Sequence, residues 1–403
     1  MRVLLIGAGG VGSAFARIAA RRKSFEEVVV ADYDLARAER VAQAAGAGFT
    51  AVSVDATNEA ALLELMQHTR CDAVLNAVDP RFVMPIFRAA LAGGVTYLDM
   101  AMSLSRPDPE APYERTGVML GDEQFELAAT FEERGLLALL GIGVEPGLSD
   151  VFARHAADHL FETIEEIGVR DGADLVIDGY DFAPTFSIWT TIEECLNPPV
   201  IWERERGWFT TEPFSEPEEF TFPAGIGPVN CVNVEHEEVC LVPRWLDVGR
   251  VTFKYGLSDD FIEVLQVIRR LGLDSTERVA VGSVQVAPRD VIAACLPDPA
   301  ELGALMHGVT CAGTWVKGTA AGGAPREVYL FHAVDNEWSM AEYDTQAVVW
   351  QTAVNPVLAL ELLASGTWSG VGLLGPEALP SAPFLDLLSE SGAPWHLEER
   401  TPS

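Results

Sequence analysis

Short apolar runs alternate with longer amphipathic segments over the first 140 residues. Uninterrupted apolar runs are typical of parallel strands covered on both faces, whereas segments with apolar residues at every third or fourth position are typical of crossover helices. The strand candidates lie at residues 3–6, 27–31, 50–55, 73–78, 95–99 and 136–141. This pattern predicts an α/β fold that begins with a Rossmann domain, in which six βα units form a doubly wound parallel sheet.

The pattern changes near residue 147, where strands no longer alternate regularly with helices. The clearest later strands lie at residues 200–202, 251–255 and 327–331. An α+β region with a mixed sheet is expected there, and the last helices, from about residue 345, are expected to pack back against the first domain. We therefore predict a dinucleotide-binding domain over residues 1–147, a substrate domain over 148–335 and a C-terminal helical segment over 336–403.

A glycine-rich turn follows the first strand directly. Gly7, Gly9 and Gly12 fit the pattern G-x-G-x-x-G, with Gly10 and Val11 between them. The first glycine allows a tight turn, the second lets the backbone approach a pyrophosphate, and the third lets helix and strand pack closely. Because a strand precedes the turn and a helix-like segment follows it, the turn predicts a dinucleotide site.

The second strand ends at Asp32, twenty residues after Gly12. A carboxylate at this point can accept hydrogen bonds from the adenosine ribose and repels a 2′-phosphate, so it favours NAD over NADP. Arg37 and Arg40 lie nearby in the sequence and leave NADP possible. Alternatively, Asp32 caps the helix that begins near residue 35.

Other cofactor contacts are expected where strands end, because doubly wound sheets bind ligands at the carboxyl edge. The candidates are Tyr33, Asp55, Ala56, Asn76, Ala77, Val78, Pro146 and Gly147. The last two belong to a rigid turn over residues 141–147, whose following helix could present amides to the cofactor or to a substrate carboxylate. The same turn could simply cross between domains.

Composition narrows the possible partners. Sixty acidic residues face 27 basic ones, of which three are lysines, and the formal net charge is −33. Such a surface repels nucleic acid and anionic membranes and favours cationic ligands, although adaptation for solubility or high salt gives the same composition. The six cysteines show no zinc-type spacing, so we expect reduced thiols, no metal site and a cytoplasmic protein without a signal peptide or bilayer-spanning segment.

Several motifs taken together resemble the saccharopine dehydrogenase family. They are the glycine turn, Asn76-Ala77-Val78, Tyr97-Leu98-Asp99, Gly143-Val144-Glu145-Pro146-Gly147, and a closing segment that contains Asn355-Pro356 and Phe384-Leu385-Asp386-Leu387-Leu388. Residues 97–101, 236–238 and 253–273 are similar to the carboxynorspermidine dehydrogenase branch. That branch reduces an imine between an amino-aldehyde and a diamine with NADPH, and the resemblance also implies a homodimer formed by the second domain's sheet.

Asp32 departs from the pattern of an NADP enzyme, which usually has a small or basic residue at this point. A lysine 6-dehydrogenase of the same family uses NAD and has an acidic residue there. Oxidative deamination of a diamino acid with NAD is therefore an alternative to imine reduction. A dinucleotide-binding sensor without catalysis is a third possibility, because a fold alone does not fix a function.

Hydride exchange at a C–N bond needs a group that manages the nitrogen proton. Asp99, at the ligand edge of the sheet, is one candidate, and a hydrogen-bonded structural aspartate is the alternative. His236 and Glu237 are further candidates, since a carboxylate beside a histidine makes a proton shuttle or an amine anchor. If residues 235–238 form a strand, His236 and Glu238 share a face, but an exposed acidic strand would show the same sequence.

Basic and aromatic residues of the second domain complete the set of candidates. Arg244, Lys254 and Lys317 could bind a substrate carboxylate, and Trp189 could stack on the ligand or belong to the core.

Overall fold

The alternation of strands and helices expected for the N-terminal third is present in a computed structural model of the chain, which describes residues 1–402. The strands are β1 Arg2–Ile6, β2 Glu27–Asp32, β3 Phe49–Ser53, β4 Ala73–Asn76, β5 Thr96–Asp99, β6 Leu137–Leu139, β7 Thr163–Ala173, β8 Val176–Ile177, β9 Val200–Glu203, β10 Gly207–Thr210, β11 Glu218–Phe222, β12 Gly227–Asn233, β13 Val248–Gly256, β14 Val279–Val281, β15 Val284–Val286, β16 Met306–His307, β17 Val309–Thr319, β18 Pro325–Asp335, β19 Gly372–Leu374 and β20 His396–Arg400. The helices are α1 Gly10–Ala19, α2 Leu35–Ala45, α3 Glu59–Thr69, α4 Val83–Gly93, α5 Asp122–Phe125, α6 Ala128–Glu133, α7 Leu148–His159, α8 Ile188–Leu196, α9 Glu238–Trp245, α10 Asp259–Arg270, α11 Pro288–Cys295, α12 Asn336–Tyr343, α13 Ala347–Ser365 and α14 Ser381–Ser389.

The first sheet confirms the predicted Rossmann fold. Its seven strands are all parallel, in the order β3-β2-β1-β4-β5-β6-β19. The central strand β1 is buried from Val3 to Ile6, because helices cover both faces of such a sheet. The seventh strand, β19, comes from the C-terminal region and pairs with β6, which the sequence pattern did not predict.

The C-terminal helix α13 packs against α1 of the Rossmann domain. By length and composition alone, this 19-residue helix could cross a membrane. In the structure, however, 72% of its apolar stretch is buried inside the protein. Burial against α1, α14 and β18 accounts for its apolar residues.

The second sheet is mixed, as expected for the α+β region. Its main path runs β10-β9-β13-β7-β17-β18-β20, and β12 with β11 branches from β13. The pair β7–β13 is parallel, and the other pairs are antiparallel. Helices α7 and α9 pack against this sheet and connect it to the turn that ends the Rossmann domain.

Strand alternation gives the β7–β13 pair two chemically different faces. Asp171 lies opposite Tyr255, and both line a cavity between the two sheets. The neighbouring pair, Arg170 and Lys254, points to the other face of the sheet. There both cations bind the Glu218 carboxylate, at 2.5 and 2.7 Å. The sheet therefore keeps its cations away from the cavity and presents acidic and aromatic groups to it.

Candidate active site

A cavity of about 650 Å³ lies where the carboxyl edge of the first sheet meets the second sheet. The Rossmann domain contributes the glycine turn and the residues that follow β4, β5 and β6, while β7, α8, the β12–α9 turn and β13 contribute the opposite wall. The ionisable side chains along it are Asp79, Glu145, Asp171, Glu194, His236, Glu237, Tyr255 and Asp298. No lysine or arginine lines it within residues 1–402.

The glycine turn has the shape that a pyrophosphate needs. Gly7 has φ +107°, and a Cβ on Gly12 would lie 1.9 Å from the Gly7 carbonyl oxygen, so neither position tolerates a side chain. A Cβ on Gly9 would meet nothing within 4 Å, which leaves open space beside the start of α1. The first amides of α1, at Gly10 and Val11, have no partner within the helix by geometry. The turn thus fits a dinucleotide phosphate.

Asp32 ends β2 and connects it to the glycine turn. Its Oδ2 accepts a hydrogen bond from the Ala8 amide at 2.8 Å, and its Oδ1 accepts one from the Asp34 amide at 2.9 Å. The helix-cap alternative for Asp32 is wrong, because the Asp34 side chain caps α2. Tyr33 is exposed, and the Arg37 guanidinium lies 5.7 Å from its ring centre. Both bonds of Asp32 are to backbone amides, so binding of the adenosine ribose by Asp32 stays a prediction.

The other cofactor candidates divide into two groups. Asn76, Ala77, Val78 and Pro146 line the cavity. The Asn76 side chain donates to the Tyr97 hydroxyl at 3.1 Å and accepts from the Val78 amide at 3.1 Å, which fixes its orientation.

The remaining candidates lie outside the cavity lining. Gly147 donates its amide to Asp150 at 2.8 Å, and a Cβ there would lie 2.1 Å from the Gly143 carbonyl oxygen, so it closes the turn. Asp55 is exposed next to Ala56, and hydrogen bonds from Thr57 lower the pKa of its carboxyl.

Asp99 is fully buried behind the cavity lining. Its Oδ1 accepts from the Gly141 amide at 2.7 Å and its Oδ2 from the Gln124 side chain at 2.8 Å. Burial raises the pKa of Asp99 to about 7. Because both carboxyl oxygens have protein partners, these contacts favour a structural role in which Asp99 positions the 141–147 turn. A catalytic role for Asp99 remains a prediction.

His236, Glu237 and Glu238 form a compact buried cluster. The strand expected here is wrong, since β12 ends at Asn233 and Glu238 already begins α9. The turn nevertheless brings His236 Nδ1 to 2.6 Å from Glu238 Oε2 and to 3.5 Å from Glu237 Oε2. The imidazole stacks on Phe253, with ring centres 3.8 Å apart and planes at 7°.

The two carboxylates determine the charge of this histidine. Burial by itself lowers the pKa of His236, but the charges and hydrogen bond of Glu238 and Glu237 outweigh it and raise the pKa to about 10. The two carboxylates therefore favour the imidazolium form of His236 at neutral pH. One ligand atom from each of the three residues lies within 4.8 Å of the others, a spacing that would admit a metal ion. The 2.6 Å distance between His236 Nδ1 and Glu238 Oε2 is that of a hydrogen-bonded ion pair.

Hydrogen bonds connect the cluster to the Rossmann domain. Glu237 Oε1 accepts from the Met102 amide at 3.1 Å, just after Met100 and Ala101, which line the cavity. Glu238 Oε1 accepts from the Ser149 hydroxyl at 2.8 Å at the start of α7. His236 and Glu237 thus face the ligand edge of the first sheet, with Glu238 behind them.

Besides Asp79 and Asp298, three acidic residues of the cavity were not among the sequence candidates for catalysis. Burial and the neighbouring Asp171 raise the pKa of Glu145, and burial raises the pKa of Asp171 to about 6. Burial likewise raises the pKa of Glu194, on α8, to about 8. Glu145 belongs to the motif turn over residues 141–147, but no sequence signal marked Asp171 or Glu194.

The cationic candidates lie away from the cavity. Lys254 is paired with Glu218, Arg244 lies over the Phe125 ring at 3.7 Å, and Lys317 belongs to β17. Trp189 does line the cavity and is 4% exposed.

Comparison with known proteins identifies this arrangement. Residues 3–139 match the saccharopine dehydrogenase NADP binding domain, and residues 143–393 match the saccharopine dehydrogenase C-terminal domain. The chain belongs to the saccharopine dehydrogenase family. It is therefore an NAD(P)-dependent oxidoreductase that acts on C–N bonds of amine-type substrates.

Individual relatives agree with this family over the whole chain. The carboxynorspermidine synthase of Vibrio alginolyticus is 30% identical, over 100% of this chain and 98% of its own length. The carboxyaminopropylagmatine dehydrogenase of Synechocystis is 28% identical over 98% and 97% of the two chains. Saccharopine dehydrogenase (L-Glu forming) from Saccharomyces cerevisiae shares the fold, with a TM-score of 0.71, 14% identity and coverage of 99% and 100%.

Proposed function

We propose that this enzyme joins a carbonyl compound to a diamine by reducing the imine that the two form, as the names of its relatives suggest. The observation that carries the proposal is the cavity beside the glycine turn. Glu145, Asp171, Glu194 and Glu237 line it and no cationic side chain balances them except His236, in the described part of the chain. A cavity lined by carboxyl groups suits a substrate with more than one ammonium group, because bound cations favour the ionised carboxylates that burial disfavours.

The groups at the Rossmann edge suit the two chemical stages. Condensation of an amine with a carbonyl expels the carbonyl oxygen as water, which needs a proton donor. His236 is protonated, and with Nδ1 bound to Glu238 its Nε2 is the ring atom left to donate. Glu237, beside it, stabilises the resulting iminium cation.

Reduction then completes the secondary amine. NAD(P)H, held at the glycine turn, would supply hydride to the iminium carbon, and the electron pair of the C=N bond would pass to nitrogen. The contribution of the chain is to hold the iminium carbon over the ligand edge of the first sheet, where Asn76, Val78 and Met100 line the cavity, and to exclude water.

NAD is the cofactor that we propose, because Asp32 ends β2 where a 2′-phosphate would meet its charge. We also propose a cytoplasmic homodimer. The six cysteines are all free, which suits a reducing compartment, and the dimer rests on the family resemblance.

The test measures NADH and NADPH oxidation by the purified enzyme with aspartate semialdehyde and a panel of amines: 1,3-diaminopropane, putrescine, agmatine and n-propylamine. We expect oxidation that requires both the carbonyl compound and an amine, with a lower KM for the diamines than for n-propylamine and a product whose mass is that of the coupled secondary amine. NAD⁺ reduction with lysine alone would instead favour the lysine 6-dehydrogenase alternative, and absence of turnover with every amine would overturn the proposal.

A further inference from the structure

We propose that Glu145 and Asp171, beside the ring of Tyr255, form a subsite for the distal ammonium group of the diamine, the nitrogen that does not react. The inference rests on the proposed function and adds to it the residues that select a second cationic nitrogen. His236 and Glu237 serve the reacting end, because Glu237 is bonded to Met102 at the ligand edge of the first sheet.

The second sheet places the subsite on the wall opposite the glycine turn. Asp171 and Tyr255 are direct partners across the parallel pair β7–β13, and both line the cavity. Glu145 reaches the same cavity from the turn that ends the Rossmann domain, and the neighbouring Asp171 helps to raise the pKa of its carboxyl. Three separate elements therefore converge on one point of the cavity wall.

No lysine or arginine side chain within residues 1–402 forms an ion pair with Glu145 or Asp171. Two neighbouring buried carboxyl groups resist being ionised together, so the pair retains a proton more readily than either acid would alone. The Oε1 atom of Glu145 is buried and has no hydrogen-bond partner in residues 1–402, which is a costly state for a carboxyl oxygen. Arg170 and Lys254, the cations nearest in the strand register, point to the opposite face and bind Glu218.

The rings around the pair point to the same kind of ligand. Tyr255 and Phe253 alternate with Lys254 on β13, so both present their rings to the cavity, which Phe186 and Trp189 also line. Phe253 already stacks on His236, and Arg81 and Arg289 already lie over the Trp189 ring. Tyr255 is therefore the ring that can join the two acids in receiving an ammonium group, because aromatic faces attract cations. A carboxylate-bearing substrate end would find no matching charge at this wall.

Binding of an ammonium group should displace the proton that the pair retains. The charged and titratable groups that interact with the pair are His236, Glu238, Tyr255, Tyr329, Cys231 and Cys311. Of these only His236 carries positive charge, and it is already paired with Glu238. A cation placed between Glu145 and Asp171 favours their ionised forms, so the proton leaves to solvent.

The experiment compares the wild-type enzyme with Glu145→Gln and Asp171→Asn, both nearly isosteric. We expect the KM for 1,3-diaminopropane to rise about 10- to 100-fold in each variant, the scale of one lost charged hydrogen bond, while kcat changes little. The KM for n-propylamine, which has no second nitrogen, should stay unchanged. Glu165→Gln, an exposed carboxyl on the same strand as Asp171, is the matched control and should behave as wild type.

Calorimetry supplies a readout independent of turnover. Titration of the cofactor-loaded enzyme with 1,3-diaminopropane in two buffers of different ionisation enthalpy should show proton release in the wild type and its loss in the variants. Unchanged diamine KM and binding in both variants, with turnover intact, would overturn the subsite and leave the proposed function standing. Absence of turnover with every amine would remove the proposed function, and diamine binding by calorimetry would still decide the subsite.

Discussion

Replacing Glu238 with Gln tests the charge of the buried cluster formed by His236, Glu237 and Glu238. Glu238 is fully buried, with Oε2 2.6 Å from His236 Nδ1 and Oε1 bonded to the Ser149 hydroxyl at 2.8 Å. Gln has nearly the same shape and can still accept from Ser149, so the substitution removes the charge with little change in packing. The remaining partner of His236 is Glu237 at 3.5 Å.

The structure sets the size of the expected effect. The pKa of His236 rises from 6.5 to about 10 in the folded protein, although burial alone lowers it. At roughly 1.4 kcal/mol per pKa unit, the cluster favours the protonated imidazole by about 5 kcal/mol, most of which depends on Glu238. Without that charge, burial should bring the pKa of His236 to its ordinary value or below, so the ring is mostly neutral at pH 7.

Stability should respond in a definite pH window. Because the folded pKa is raised, this histidine stabilises the fold fully below pH 6.5, and the contribution is lost as pH rises through about 10. Removing Glu238 should cost up to about 3–5 kcal/mol at pH 7, less whatever is recovered when the ring deprotonates. The variant should therefore lose less stability than the wild type between pH 7 and 10.

Two assays check this reasoning. NMR of ¹³C-labelled histidine, with His236→Gln to assign the signal, gives the pKa directly, and thermal unfolding across the same pH range gives the stability slope. Glu39→Gln, at an exposed position on α2, is the control. A His236 signal that still titrates near pH 10 in Glu238→Gln would refute the assignment of this shift to Glu238.

Three further outcomes follow from the cofactor turn and the buried acids. Gly12→Ala should lower Tm and abolish NADH binding, because its Cβ would lie 1.9 Å from the Gly7 carbonyl oxygen, whereas Gly9→Ala should weaken binding at unchanged Tm, since nothing lies within 4 Å. Fluorescence titration measures NADH binding by the two variants, and thermal unfolding measures their Tm. An equal loss of Tm in both would contradict the conclusion that a Cβ on Gly9 meets open space. Asp32→Ala should weaken NADH binding about tenfold, on the scale of a charged hydrogen bond, and NADPH binding less, in parallel titrations. An equal loss of affinity for NADH and NADPH would mean that Asp32 acts through its hydrogen bond to the glycine turn and not through the ribose. Finally, burial raises the pKa of Glu377 from 4.5 to about 8, so its contribution to stability is complete below pH 4.5 and is lost as pH rises through 8. Tm should fall across this window and fall less in Glu377→Gln, and identical slopes would exclude Glu377 as a source.

Sequence reasoning worked where the signal is local. Gly7, Gly9 and Gly12 lie within six residues, and their roles depend on a strand and a helix that flank them directly. The apolar runs of the first domain are equally local, because each strand is buried on both faces. The strand β19 was missed since three residues, Gly372–Leu374, carry too little pattern, and its partner β6 lies over 230 residues earlier in the sequence.

The candidate site was predicted only in part, for the same physical reason. The proximity of His236, Glu237 and Glu238 follows from their adjacency, although they form a turn before α9 and not a strand. Asp171 and Glu194 come from β7 and α8, and only the packing of these elements against the Rossmann edge brings them into one cavity. Such proximity depends on long-range contacts that no spacing in the sequence records.

The most direct test of the central claim follows the hydride. The enzyme is incubated with NADH or NADPH deuterated at nicotinamide C4 on either face, together with aspartate semialdehyde and 1,3-diaminopropane, and the product is analysed by mass spectrometry. We expect a secondary amine that carries one deuterium on the carbon of the new C–N bond, transferred from one of the two faces. A coupled product without deuterium from either face, or cofactor oxidation without a coupled amine, would contradict it.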